Sequence, residues 1–268
     1  RRTEAAAAAL LALGAAGMAS FFLMRLSEER NAALAEAART QRVQRFMLSL
    51  FDGGDREAGP SKDLTVSTLI DRGAAEAHLL NQDRNVQAEL YQTLGGIYRQ
   101  LGRLEDAETM LRMGLEKRRG AGAREQSESL VALGLLRADQ AKLGEAERLV
   151  GAGLAAARQG LPGGHPAIAA ATAALGRVLM EKGDYGGAIP LLEQAAAMRS
   201  GPPSSPADLA ASLYELANAH FYAGHYAESE EINRRVLAMN QRIYGDKHPK
   251  TAQCLVNLGA IKHDLGHY

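Results

Sequence analysis

The chain has no tryptophan, one cysteine, eight prolines in 268 residues and no net charge, and each shortage removes a class of answer. Cys254 alone can form neither an internal disulfide nor a cysteine-based zinc site. Lys plus Arg and Asp plus Glu balance at 31 each, so no net field draws the chain to nucleic acid or to an acidic substrate. β-Branched residues are sparse, which argues against long strands. Alanine, leucine, glutamate and arginine dominate instead, the bias of an all-helical protein.

Catalytic patterns are missing too. No phosphate-cradling Gly-rich loop follows a strand, and there is no nucleophile elbow, His-Glu-x-x-His pair or kinase catalytic-loop triplet. His220, His225, His263 and His267 gather near the C-terminal end, but no carboxylate or thiol repeats with them, so no metal is expected. Cys254 reads as a small packing residue. The chain is accordingly read as a non-enzyme that needs no cofactor.

Residues 5–24, AAAAALLALGAAGMASFFLM, carry no charge and as a helix would span roughly 30 Å, a bilayer core. The readings are a spanning anchor, a cleavable signal peptide ending near GMAS, or a buried Ala-rich helix; the polar, helix-forming stretch that follows favours the anchor. Arg1 and Arg2 precede the run, whereas Arg25 and Arg30 are mixed with Glu28 and Glu29 beyond it. The positive-inside rule then expects a single-pass inner-membrane protein, N-terminus cytoplasmic and the rest extracytoplasmic. Residues 26–51 repeat apolar side chains at helical spacing, suited either to a stalk pairing with itself as a homodimeric coiled coil or to one amphipathic helix packed on the following domain. Gly and Pro break residues 52–63 into a loop, and helix resumes from residue 64.

Beyond residue 84 the sequence repeats itself. Leu94, Leu133, Leu175, Leu216 and Leu258 each precede a Gly or Ala and lie 39, 42, 41 and 42 positions apart. Seven residues after that small residue comes a turn position, Gly102, Ala141, Gly183, Gly224 or Gly266. Two further on stands Leu104, Leu143, Tyr185, Tyr226 or Tyr268, and then a small residue, Ala107, Ala146, Ala188 or Ser229, opens a second helix. The mid-helix Gly or Ala lets a second helix come close where a larger side chain would overpack. The turn Gly accepts φ > 0. Leu111, Leu115, Leu191 and Leu192 are expected to fill the interface. Such helix pairs cannot bury their apolar faces alone and must stack. Pro166, Pro206 and Pro249 open the first helix of a copy, with His165, Ser205 and His248 before them as cap candidates.

From about Asn85 to Tyr268 this pattern resembles the tetratricopeptide repeat. The period near 41 resembles the longer repeats of kinesin light chains, in which a Gly-x-x-His-Pro loop often joins units; residues 245–249 have that pattern, and His165-Pro166 follows Gly163-Gly164 at the equivalent place. Tyr91 stands where the consensus has Trp. The resemblance implies a right-handed α-solenoid of helix hairpins, preceded by the transmembrane helix and stalk. The expected divisions are 1–25 (span), 26–51, 52–63, 64–83, and repeats at 84–123, 124–165, 166–205, 206–248 and a truncated 249–268. It also implies that the first helices line a groove for a protein or peptide, with Gln92, Arg99, Arg177, Tyr214, Asn218, Asn257 and His263 facing it. Of the paired asparagines usual in the kinesin-light-chain type, Asn218 and Asn257 keep the place.

Residues 42–108, RVQRFMLSLFDGGDREAGPSKDLTVSTLIDRGAAEAHLLNQDRNVQAELYQTLGGIYRQLGRLEDAE, resemble a segment of certain bacterial Hanks-type serine/threonine protein kinases, where kinase domain, single span and tetratricopeptide repeats follow one another. That implies a kinase, with its ATP and Mg²⁺, only upstream of Arg1. The alternatives are a stand-alone membrane-tethered or exported adaptor and the repeat region of a transcription regulator.

Overall fold

The computed structural model describes Met24, Leu26, Ser27, Arg30, Gln41 and residues 65–79, 84–201 and 204–266. The chain divides into two compact units, Arg1–Glu76 and Ala77–Tyr268, and the helical array belongs to the second. Ten helices have described bounds: α1 Val66–Leu79, α2 Arg84–Gln100, α3 Leu104–Lys117, α4 Ala123–Asp139, α5 Leu143–Gly160, α6 Pro166–Glu181, α7 Tyr185–Met198, α8 Pro206–Tyr222, α9 Tyr226–Tyr244 and α10 Pro249–Asp264. The pairs α2/α3, α4/α5, α6/α7 and α8/α9 are hairpins, each stacked on the next, and α4 touches both α2 and α6. The all-α solenoid arrangement follows, with α10 as the first helix of a fifth unit.

Every hairpin turns the same way. The turn residue has positive φ at Gly102 (75°), Gly183 (82°) and Gly224 (81°), and the following amide donates to a carbonyl five residues back in the helix, as Arg103 N does to Tyr98 O at 2.9 Å. Ala141 holds the same conformation at φ 59° without the freedom of glycine. The mid-helix glycines are close-approach points. A Cβ built on Gly95 would lie 2.6 Å from Leu111, on Gly134 2.5 Å from Val150 and on Gly176 2.8 Å from Leu192.

The inter-hairpin starts are fixed by caps. His165 Nδ1 accepts from Ala167 N at 3.1 Å and His248 Nδ1 from Lys250 N at 3.2 Å. Ser205 makes a reciprocal capping box with Asp208: its hydroxyl accepts from Asp208 N (3.2 Å), and the Asp208 carboxylate accepts from Ser205 N (3.1 Å). Pro166, Pro206 and Pro249 each follow at the first helical position, where the missing N–H removes no intrahelical bond.

The core is layered rather than central. One cluster takes Ala138 from α4, Ala146 and Val150 from α5, and Ala174 and Val178 from α6, so one hydrophobic layer is shared by two consecutive hairpins. At the start of the array Tyr91 is fully buried in the place of the consensus Trp, and its hydroxyl accepts from Gln87 Nε2 (3.2 Å) and lies 3.2 Å from His78 Nδ1. Leu111 and Leu192 fill the hairpin interfaces, but Leu115 and Leu191 are only half-buried.

The two sides of each joint between hairpins match in polarity. Arg118, at the C-cap of α3, donates to Ser129 of α4 (3.2 Å), Arg199 at the C-cap of α7 to Ser212 of α8 (2.6 Å), and Asn240 near the end of α9 to Cys254 Sγ of α10 (3.4 Å). The equivalent pair between α5 and α6 is Ala157 with Ala171, both in one apolar cluster. Each polar end is met by a polar partner, and the one apolar end by an apolar one.

The single-pass membrane localisation is corrected. Among the described residues no helix is long and apolar enough to cross a membrane. A span needs about 20 predominantly apolar residues. The longest described helix, α9, has 19 residues and carries Glu228, Glu230, Glu231, Arg234, Arg235 and Arg242. Residues 5–24, on which that localisation rested, lie outside the described residues apart from Met24. So do the stalk at 26–51 and its self-pairing, apart from Leu26, Ser27, Arg30 and Gln41, and the whole loop 52–63.

Candidate functional site

The face to examine is the one built by the first helices α2, α4, α6, α8 and α10, because the turn geometry puts equivalent positions of these helices in line. Arg99 of α2 donates to Asp139 at the end of α4 (3.0 Å), and Arg177 of α6 approaches the other oxygen of the same carboxylate at 3.8 Å. Arg177 Nε also lies 3.2 Å from Glu181. Burial pushes the carboxyl of Glu215, on α8, above its ordinary value, against the pull of Arg177 and with the help of Glu181. Two arginines named from the sequence therefore meet on a carboxylate that was not.

Gln92 sits nearer the start of the array. Its Oε1 accepts a short hydrogen bond from Arg118, a residue only 7 % exposed that also donates to Glu125 O and Ser129. This fixes the Gln92 amide at the rim of a cavity of about 570 Å³ between α2, α4 and α6, floored by Val131, Leu135 and Ala170 and bounded by Glu128 and His165. His165 is thus both helix cap and wall. Tyr214 borders a smaller cavity, about 120 Å³, with Glu215, Asn240, Lys250 and Gln253. Asn257 Nδ2 of α10 donates to Asn218 Oδ1 of α8 at 3.0 Å, tying two successive units across the face. His263 is exposed beside Asp264 (3.2 Å), at the far end of α10.

The seven sequence-derived residues thus fall into separate groups: Gln92 at the first cavity, Arg99 with Arg177, Tyr214 at the second cavity, Asn218 with Asn257, and His263 apart. Asp139, Glu215 and Arg118 escaped the sequence reading. Asp139 carried a usable signal, since it lies one place beyond Arg99 in the repeat register. Arg118 carried none without the fold, because its role comes from a neighbouring hairpin.

The chemistry available is recognition. Amides, paired charges and a small-walled apolar cavity can hold a peptide's backbone, side-chain polar groups and apolar residues. Among the described residues no group of three or more His, Cys, Asp or Glu could hold a metal ion.

Residues 88–121, 171–205 and 208–268 each match a family described as tetratricopeptide repeat. These three segments are tetratricopeptide repeats. Among solved structures, BtubC (BKLC) from P. vanneervenii is similar over 75% of this chain and 83% of its own, with TM-score 0.62 and 16% identity. The "kinesin light chain nearly identical TPR-like repeats" of Podosopora anserina are similar over 69% and 89%, with TM-score 0.55 and 21% identity. The apo form of RapI is similar over 75% of this chain and 55% of its own, with TM-score 0.54 and 11% identity. These identities carry the fold alone. No curated protein sequence matches the chain.

Proposed function

We propose that the chain is a protein-binding tetratricopeptide scaffold that holds a peptide segment of its partner along the face of α2, α4, α6, α8 and α10. The observation that carries this is the roughly 570 Å³ cavity opening on that face, with an oriented amide, Gln92, at its rim. The line continues through the Arg99–Asp139–Arg177 bridge to the Asn218–Asn257 pair. Each group along it offers hydrogen bonds or apolar contact, and none is arranged to break a bond. The test is affinity selection of peptides on the immobilised chain, followed by Ala170→Trp, which fills the cavity from an exposed position, and by Ala replacement of Arg99, Arg177 and Asn218. Loss of binding in Ala170→Trp and Asn218→Ala supports the reading. Undiminished binding in all four variants would move the ligand elsewhere.

The finer reading is that this scaffold is the non-catalytic part of a bacterial serine/threonine protein kinase. Its support is the resemblance of residues 42–108, and ATP with Mg²⁺ would then belong to the kinase domain and not to this chain. Reading the gene upstream of Arg1 decides it. Absence there of a Gly-rich loop, a catalytic Asp loop and a metal-binding Asp would leave a stand-alone adaptor or the repeat region of a transcription regulator.

A further inference from the structure

A second recess lies away from the first-helix face, between the second helices α3 and α5 with α4 as its floor, and encloses about 600 Å³. Four arginines surround it: Arg112 and Arg119 from α3 and the turn after it, Arg137 from α4, and Arg148 from α5. Leu115, Leu133 and Leu149 supply its apolar wall.

The repeat itself provides the control. At the equivalent four places one hairpin further on, around the α5/α7 cleft, the residues are Gly151, Arg158, Leu179 and Pro190. Around the α7/α9 cleft they are Glu193, Ser200, His220 and Glu231. The same stacking is built with a single arginine, Arg158, or with opposite charge at these positions, so packing does not demand four arginines.

Two of the four are already engaged. Arg137, 8 % exposed, donates to both oxygens of Glu108 (2.7 and 2.9 Å) and lies 3.2 Å from Glu145, and Arg112 pairs with Glu108 at 2.7 Å. Arg119 and Arg148 are exposed, and among the described residues neither pairs with a carboxylate; Arg148 makes only a 3.4 Å bond to Gly144 O. Glu116 and Glu145 also border the recess; Glu145 is held by Arg137, so among the described residues two guanidinium groups face one unmatched carboxylate at its rim. A guanidinium on each side of an apolar trough matches a segment that carries carboxylates on both sides of a leucine-like side chain.

We propose that the α3/α5 recess binds an acidic peptide segment of a partner, its carboxylates on Arg119 and Arg148 and an apolar side chain on Leu115 and Leu149. The site is separate from the face assigned to the scaffold's main ligand, and it gives the scaffold a second point of attachment.

The experiment uses the full chain and a fluorescein-labelled peptide, Glu-Leu-Glu-Glu-Leu-Glu, with Lys-Leu-Lys-Lys-Leu-Lys as its counterpart, read by anisotropy. The glutamate peptide is expected to bind, the lysine peptide at least tenfold more weakly. Raising NaCl from 50 to 500 mM should weaken the glutamate complex several-fold. Arg119→Glu and Arg148→Glu should each lower affinity tenfold or more, with unchanged circular dichroism melting because both side chains are exposed. Ala170→Trp and Asn218→Ala should leave this binding intact, which separates it from the first-helix face. Equal binding of the two peptides, no binding of the glutamate peptide, or loss in the first-helix-face variants but not the arginine reversals would overturn the proposal.

Discussion

Arg199 reaches from the C-cap of α7 to Ser212 of α8 across a 2.6 Å hydrogen bond, joining two hairpins at a place where the neighbouring joint has only Ala157 against Ala171. Burial lowers the Arg199 guanidinium below its ordinary value, with Asp208 opposing that shift, so its partners matter. Ser212→Ala leaves a desolvated guanidinium short of an acceptor and should cost about 1–3 kcal/mol. The double variant Arg199→Leu/Ser212→Ala rebuilds the apolar kind of joint and should recover part of that loss. Urea denaturation followed by circular dichroism checks it, and strict additivity of the two single changes would refute the coupling.

Gly134 and Gly259 occupy the same repeat position in opposite surroundings. A Cβ on Gly134 would meet Val150 Cγ2 at 2.5 Å and Val150 N at 3.0 Å, whereas a Cβ on Gly259 meets nothing within 4 Å. Gly134→Ala should therefore destabilise by about 1–3 kcal/mol through overpacking. Gly259→Ala should stabilise by up to about 1 kcal/mol, since alanine is the better helix former and no neighbour resists it. Thermal melts of the two variants should shift in opposite directions, and a shift of the same sign would contradict the packing assigned to α4 and α5.

Much of this was legible beforehand because a repeat tests each reading several times. The register of Leu94, Leu133, Leu175, Leu216 and Leu258 located the seams, the turn glycines located the positive-φ residues, and the Pro positions located the helix starts. The candidate site was legible only as a face. Which side chains share it depends on contacts between hairpins, and Asp139 bridging Arg99 and Arg177 has no signature inside any single copy. The half-burial of Leu115 and Leu191 was missed for a related reason: spacing along one helix does not say how far its neighbour's second helix stands away, and that distance leaves the α3/α5 recess open.

Glu108 predicts an acid limb. Hydrogen bonds from Arg137 first, then from Gln140, with the charges of Arg137 and Arg112, hold its carboxyl at about 2 rather than the ordinary 4.5, against the opposing effect of burial. A depressed carboxyl stabilises the folded chain fully above about pH 4.5, and that contribution is lost as pH falls towards 2, where the folded state finally takes up the proton. Glu108→Gln should destabilise at pH 7 by about 1–3 kcal/mol, because Arg137, 8 % exposed, loses its two-oxygen charged partner and keeps only Glu145 as a counter-charge. The same variant should show a shallower fall in stability between pH 4.5 and 2. Parallel pH curves for variant and parent would show that the pair does not control this limb.

His220 predicts a second pH dependence, nearer neutrality. It is 9 % exposed at the end of α8, with its Nδ1 3.3 Å from Nδ1 of His225 in the turn to α9, so one ring donates and the other accepts. Burial, then the neighbouring His225, lowers its affinity for a proton below the ordinary 6.5, while Glu228 and Glu193 pull the other way. A histidine held neutral in the fold contributes stability that is complete above pH 6.5. As pH falls below that value the unfolded chain takes the proton first, and the contribution is lost towards the depressed folded value. The equivalent places in the first and third copies hold Tyr98 and Leu179, so this position accepts a non-titrating side chain. His220→Leu should therefore melt with less loss between pH 7.5 and 5.5 than the parent does. An undiminished loss over that interval would assign the pH dependence to another group.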